Sequence, residues 1–211
     1  MAGSERPDTS RRPDYRTGQA DESLDNALEQ ARQGEEAGFV ELWRTLHPPL
    51  LRYLTVARND SPEDIAAETW LQAIRDLPRF EGDGKAFRAF LFTVARNRAI
   101  DHGRARSARP VVLVAEPVEE SMAPSAEEIA VERASTQAAL ELVASLPPAQ
   151  AEMVLLRVVA GLDVAVVAAM VGKQPGTVRV SVHRALRALG RDPRMRSSSQ
   201  QQQQVQQEEV V

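Results

Sequence analysis

Apolar residues recur three and four positions apart along most of this chain, the repeat of α-helices that each bury one face. Leu24, Ala27, Leu28 and Ala31 mark the first stripe, over residues 21–33, and Gly34 stops it. Phe39, Trp43, Leu46 and Leu50 mark a second, which Pro48-Pro49 is expected to kink or divide. "SPED" at 61–64 opens a third, with Ser61 as N-cap, Pro62 at the first position and two acids at the positive end of the helix dipole. Ala66, Trp70, Ala73, Ile74 and Leu77 point inward there, and Pro78 ends the run. Beyond the loop "RFEGDG", Phe87, Phe90, Leu91, Val94 and Ala95 form another core face, extended by Ile100. This half is a helical bundle in outline.

From Ser107 to Ser125 the periodicity dissolves. "VVLV" fits a short strand, but the prolines and acidic run around it favour an extended linker. Helical spacing resumes over 126–144, restarts at "SLPPAQ" (145–150) and ends at Gly161. The last patterned stretch, 163–191, is the most specific. Asp163 caps a short helix carrying Ala165, Val166 and Ala169, Gly172 falls at a turn, and Pro175 opens a helix with Val178, Val182, Ala185, Leu186 and Leu189 inward. The expected fold is all-α: a disordered tail (1–20), a helical domain (21–106), a flexible acidic linker (107–125), a helix-turn-helix domain (126–194) and a low-complexity tail (195–211).

Composition narrows the function. Apolar residues make up 43% of the 211 but aromatic ones only 4%, which suits helix packing. The absence of cysteine excludes disulfides, thiolate metal sites and cysteine nucleophiles. No segment approaches the roughly 20 apolar residues that span a bilayer, and the N-terminus lacks a signal-peptide core, so a cytoplasmic protein is expected. Net charge is −4, yet its distribution is uneven. Residues 79–109 hold eight basic and three acidic side chains, and 173–196 hold seven and one; between them, 110–145 holds one and seven. Such basic blocks are either solvated helix faces or nucleic-acid surfaces.

The second block favours nucleic acid. Gln174, Thr177, Arg179, Val180, Ser181, Arg184 and Arg187 occupy the outer faces of the last helix, where arginine can reach guanine in a major groove. The first block contains Gly82-Asp83-Gly84-Lys85, but its spacing is not that of a phosphate loop, and Ala86 follows the lysine where a hydroxyl is needed. His47, His102 and His183 are scattered without metal-ligand spacing. Neither an enzyme nor a cofactor or metal site is expected.

Five phrases in order carry a resemblance: "LHPPLLRYL", "SPEDIAAETWLQAI", "FRAFLFTVARNRAIDHGR", "SLPPAQAEMVLLRVVAGL" and "VAAMVGKQPGTVRVSVHRALRAL". Together, over about residues 36–190, they resemble regions 2 and 4 of bacterial sigma factors of the extracytoplasmic-function type. The resemblance implies a protein that binds core RNA polymerase, recognises −10 and −35 promoter elements and helps open the −10 duplex. Its implied partners are promoter DNA, the β′ clamp helices and β subunit of polymerase, and an anti-sigma factor. Carried over by position, Glu63, Asp64 and Glu68 would meet the clamp, and one helical turn separates the last two. Lys85, Arg88, Phe92, Arg96, Asn97, Arg98 and Arg104 would hold the opened −10 strand, and an extruded base would sit near the loop. Phe92 would either stack on a base or pack on a neighbouring helix; Asp101 would pair with Arg98 or Arg104. The outer-face residues of the last helix, Gln174 to Arg187, would read the −35 element. Glu116, Glu119 and Glu120 belong to a tether or mimic nucleic acid in the RNA exit path. Departures accompany the resemblance: Ala67 stands where glutamine is frequent, and Arg98 and Gly103 stand where apolar residues are usual, which predicts a weak helix end. The alternative is a conventional helix-turn-helix regulator that binds duplex DNA without being a polymerase subunit.

Overall fold

In the computed structural model the described residues are 15–57, 61–107 and 136–192. They form eight helices: α1 (Tyr15–Arg32), α2 (Glu36–Val56), α3 (Pro62–Asp76), α4 (Gly84–Ser107), α5 (136–144), α6 (Pro148–Val154), α7 (Val164–Val171) and α8 (Pro175–Leu189). No strand occurs among these residues. Residues 1–14, 108–135 and 193–211, which hold most of the expected N-terminal tail, nearly all of the expected linker, the low-complexity tail and the alternatives offered for "VVLV", lie outside them.

α1 and α2 pack as an antiparallel pair across the turn at Gly34, whose φ of +82° frees the chain to reverse. Leu24, Ala27, Leu28 and Ala31 are all buried, as their spacing predicts. Contact is so close that a Cβ on Gly38 would lie 2.5 Å from the Ala31 amide nitrogen. The helix starts at Tyr15, within the segment expected to be disordered; after Pro13 no proline interrupts it.

α2 runs unbroken through Pro48 and Pro49, against expectation. The prolines remove two helix hydrogen bonds, but Leu42, Leu46, Leu50 and Leu54 are essentially inaccessible along the same helix, and this packing outweighs the local loss. α3 begins at Pro62 as predicted, although the Ser61 side chain makes no capping bond. Ile65, Ala66, Thr69, Trp70 and Ala73 form its buried face. Ile74, expected inward, is 43% exposed because the helix turns it away from that face. α4 closes the bundle with Phe87, Leu91, Phe92 and Ala95, and continues through Gly103 to Ser107, where a weak helix end was expected.

In the second half, α6 passes into a π-helical turn over Leu155–Val159, where the Ala160 and Leu162 amides bond back to the Leu155 and Leu156 carbonyls. α7 and α8 meet across Gly172, whose φ of +65° and ψ of 39° are the left-handed conformation that the sequence required there. Val178, Val182 and Ala185 bury α8; Leu186, expected beside them, is 44% exposed because it sits about 100° round the helix from Ala185. The two halves touch. The π-helical turn packs on α2, and Arg96 of α4 donates to Glu152 of α6 at 2.8 Å. A cavity of about 520 Å³ lies at this seam, between Tyr53, Val56 and Ile100 on one side and Leu146, Ala149 and Leu155 on the other.

Candidate nucleic-acid interface

The turn between α3 and α4 is built by its acids and glycines. Leu77–Arg79 forms a single 3₁₀ turn after α3. Asp83 then caps α4: its carboxylate accepts from the Ala86 amide at 2.8 Å, and its carbonyl accepts from the Phe87 amide at 2.9 Å. Gly84 lets another helix in. A Cβ there would lie 2.8 Å from Leu24 Cγ and 2.9 Å from Asp25 Oδ1, so no side chain larger than hydrogen fits against α1. Asp25 accepts a 2.6 Å bond from the Gly84 amide. Arg32 donates through one nitrogen to the Phe80 carbonyl at 2.6 Å and the Gly82 carbonyl at 2.8 Å, with its guanidinium 5.7 Å from the Phe80 ring centre. The close approach permitted by the glycine at 84 is therefore by α1.

Helix α4 distributes its cations over three directions. Lys85 and Arg88 face α1, where Asp21 lies 3.0 and 4.0 Å from them; the Asp21 hydrogen bond and charge raise the Lys85 pKa. Arg96 turns into the seam with Glu152. Arg98 turns toward α3, donating to Glu68 at 2.5 Å and to Gln72 at 3.0 Å, so the arginine that stands in an apolar position is accommodated by polar partners. His102 approaches the same Glu68 oxygen at 3.7 Å. Asn97 and Arg104 are exposed, and Arg104 pairs with Asp101 at 3.6 Å, one of the two pairings offered for that aspartate. Phe92 needs a correction. It is fully buried, with its ring edge-on to Tyr53 at 5.9 Å, because α2 covers that side of α4; it has no surface on which to stack a base. Burial, reinforced by Glu152 and opposed by Arg96, raises the Tyr53 pKa.

Helix α8 offers a simpler surface. Gln174, Thr177, Arg179, Val180, Arg184 and Arg187 are exposed and Ser181 is half-buried. Among the described residues no carboxylate pairs with the three arginines. On α3, Glu63 and Asp64 are exposed in the first turn, and Glu68, one turn further, is held by Arg98. The described residues contain no group of three or more metal-ligating side chains, and no helix among them is long and apolar enough to cross a membrane.

Comparison with known proteins matches these surfaces to a family. Residues 38–109 match Sigma-70 region 2, and residues 136–189 match Sigma-70, region 4. Over 176 residues the chain is 37% identical to the ECF RNA polymerase sigma factor SigD of Mycobacterium tuberculosis, covering 80% of this chain and 82% of that one. The chain belongs to the extracytoplasmic-function sigma factors. It is also 34% identical to BldN of Streptomyces coelicolor over 167 residues, 78% of this chain and 63% of that one. Two solved structures share its fold. CnrH in complex with the cytosolic domain of CnrY gives a TM-score of 0.52 at 20% identity, covering 80% of this chain and 95% of that one. RpoE in complex with the anti-sigma factor NepR from Bartonella quintana gives 0.51 at 22%, covering 72% and 93%.

As a sigma factor the protein binds core RNA polymerase as a regulatory subunit and directs promoter recognition and initiation. The conventional regulator is not favoured. Sequence patterning identified the cations of the sigma factor but missed two of their partners, Asp21 on α1 and Glu152 on α6, and the two α1 residues that hold the turn, Asp25 and Arg32. For the α1 residues a signal existed. Asp21, Asp25 and Arg32 are four and seven residues apart, which places them on one helix face beside Leu24 and Leu28. Glu152 carries no such signal, because its pairing depends on how the two halves dock.

Proposed function

We propose that the sigma factor divides its work among three surfaces. Glu63, Asp64 and Glu68 on α3 dock on the cationic clamp helices of β′. The α3–α4 turn with Lys85, Arg88, Arg96, Asn97, Arg98 and Arg104 holds the opened −10 strand. Gln174, Thr177, Arg179, Val180, Ser181, Arg184 and Arg187 on α8 read the −35 duplex. Arg98 contributes through Glu68 and Gln72 until those contacts are exchanged for phosphate, and Phe92 contributes packing only.

The observation that carries this reading is the exposed set of Arg179, Arg184 and Arg187, without a carboxylate partner among the described residues, on the second helix of a helix-turn-helix. A face of this kind suits a major groove, whereas α4 and its turn suit a single strand presented after opening. The chain performs no catalysis of its own and works in the cytoplasm. An anti-sigma factor pairs with it there; RpoE of Bartonella quintana, which shares the fold, forms a complex with the anti-sigma factor NepR.

Run-off transcription tests the whole. Purified core polymerase with this chain should initiate at discrete sites on a promoter library whose upstream sequences share two spaced motifs. Duplex binding by the chain alone, with no initiation when core enzyme is supplied, would favour the conventional regulator instead.

A further inference from the structure

The turn over residues 80–84 takes its tertiary hydrogen bonds from α1, which lies N-terminal to the segment that matches region 2. Arg32 holds the Phe80 and Gly82 carbonyls, and Asp25 holds the Gly84 amide. Three backbone groups in five residues are thus fixed from one helix face. Gly84 has no space for a Cβ against Leu24, so the turn is seated as well as tethered. Ionised groups supply these bonds, at 2.6 to 2.8 Å, and they tie the turn to a helix whose own position is locked by the close contact of Gly38 with Ala31.

We propose that α1 is a specificity element of the sigma factor: Arg32 and Asp25 are positioning residues that fix the shape of the 80–84 turn and thereby set how sharply it discriminates the −10 base it receives. The proposal rests on the reading of that turn as the base-holding part of the −10 surface. A pocket distinguishes bases only if its walls do not rearrange to suit each one, and an untethered turn must also lose backbone freedom when the strand binds. Neither positioning residue needs to touch DNA.

The test uses holoenzyme assembled from the full chain and core polymerase. Its ligand is a fluorescent single strand carrying the −10 sequence found by run-off mapping, with the four bases exchanged in turn at each position. Wild-type protein, Arg32→Ala, Arg32→Lys and Asp25→Ala are compared for affinity to the best strand and for the ratio of best to worst base. We expect Arg32→Ala to lose about tenfold in affinity and to compress the ratio at least about threefold, with Asp25→Ala smaller in the same direction. Arg32→Lys should recover part of the ratio, since an ammonium can still donate to both carbonyls. Affinity for −35 duplex and for core enzyme, and helicity by circular dichroism, should not change. A purely structural brace would shift the melting temperature and leave the base ratio intact; that result overturns the proposal. If Arg32→Ala does not fold, Asp25→Ala and Arg32→Lys carry the same comparison. A wild-type holoenzyme with no base preference on this strand would overturn the reading of the turn, and the inference with it. Discrimination by the wild type that every variant retains would overturn the inference alone.

Discussion

The basic blocks that contain α4 and α8, residues 79–109 and 173–196, hold eight and seven cations, but the cations on the two helices differ in how many are available. On α4, Lys85 and Arg88 face Asp21, Arg96 faces Glu152, Arg98 faces Glu68 and Arg104 faces Asp101. On α8, Arg179, Arg184 and Arg187 have no such neighbour among the described residues. Net charge in the sequence does not reveal this difference. An unpaired arginine gains the full counterion-release benefit when it meets a phosphate, whereas a paired one must first give up an internal contact. On the proposed assignment the described α8 surface meets duplex DNA without giving up a contact, whereas the α4 surface must rearrange. That order suits a protein whose second target exists only after the duplex has opened.

Several measurements can break or sharpen the contrast. The largest effect should come from Phe92→Ala. Removing a fully buried ring costs about 3–5 kcal/mol, so urea unfolding should show a large loss of stability, and any loss of −10 binding should follow the unfolded fraction. Next is Arg184→Ala, expected to cost about 1–3 kcal/mol on −35 duplex in a mobility shift and nothing on the −10 strand. Equal loss on both would erase the distinction between the helices. Glu152→Gln removes the partner of Arg96, which should raise −10 strand affinity by up to about fivefold at low salt, a gain that fades as salt screens the pair. Asp21→Asn should act in the same direction through Lys85 and Arg88, by about twofold, since Lys85 is largely in solvent.

The smallest effect separates charge trading from fold stability. Desolvation lowers the pKa of His47, whose ring stacks on Trp43 at 4.1 Å. Its folded value lies below the unfolded 6.5, so the unfolded chain binds more protons in between. Stability is then complete above about pH 6.5 and falls as pH drops toward the folded pKa. His47→Gln should flatten the slope of melting temperature against pH over that window. DNA affinity that changes with pH while His47→Gln holds stability level would come from the charged faces.

Most of the architecture was legible because each helix announces its buried stripe locally. Leu24-Ala27-Leu28-Ala31 and Val178-Val182-Ala185 are buried as spaced, and Gly172 and Pro175 sit where the turn and helix start demand them. The failures depend on distant contacts. Pro48-Pro49 should have broken α2 on local grounds and was overruled by the leucines around it. Phe92 lies one residue from the predicted stripe, and only the covering α2 decides that it is core. On α8, exposure of Thr177, Arg179, Val180, Arg184 and Arg187 was readable from periodicity alone. The pairing of Arg96 and Arg98 was not, because Glu152 and Glu68 are 56 and 30 residues away in sequence.

The tight seating of α1 has a practical corollary. With less than a methyl group of clearance at Gly38 and at Gly84, the first helix cannot slide along its neighbours or tolerate a bulkier substitute. A chimaera joined at residue 38, the first position of the region 2 match, would inherit the helix proposed to hold the strand but not the α1 contacts that seat the turn before it. Exchanges of promoter preference between sigma factors are better spliced upstream of Asp21, so that the donor's α1 contacts travel with the donor's turn.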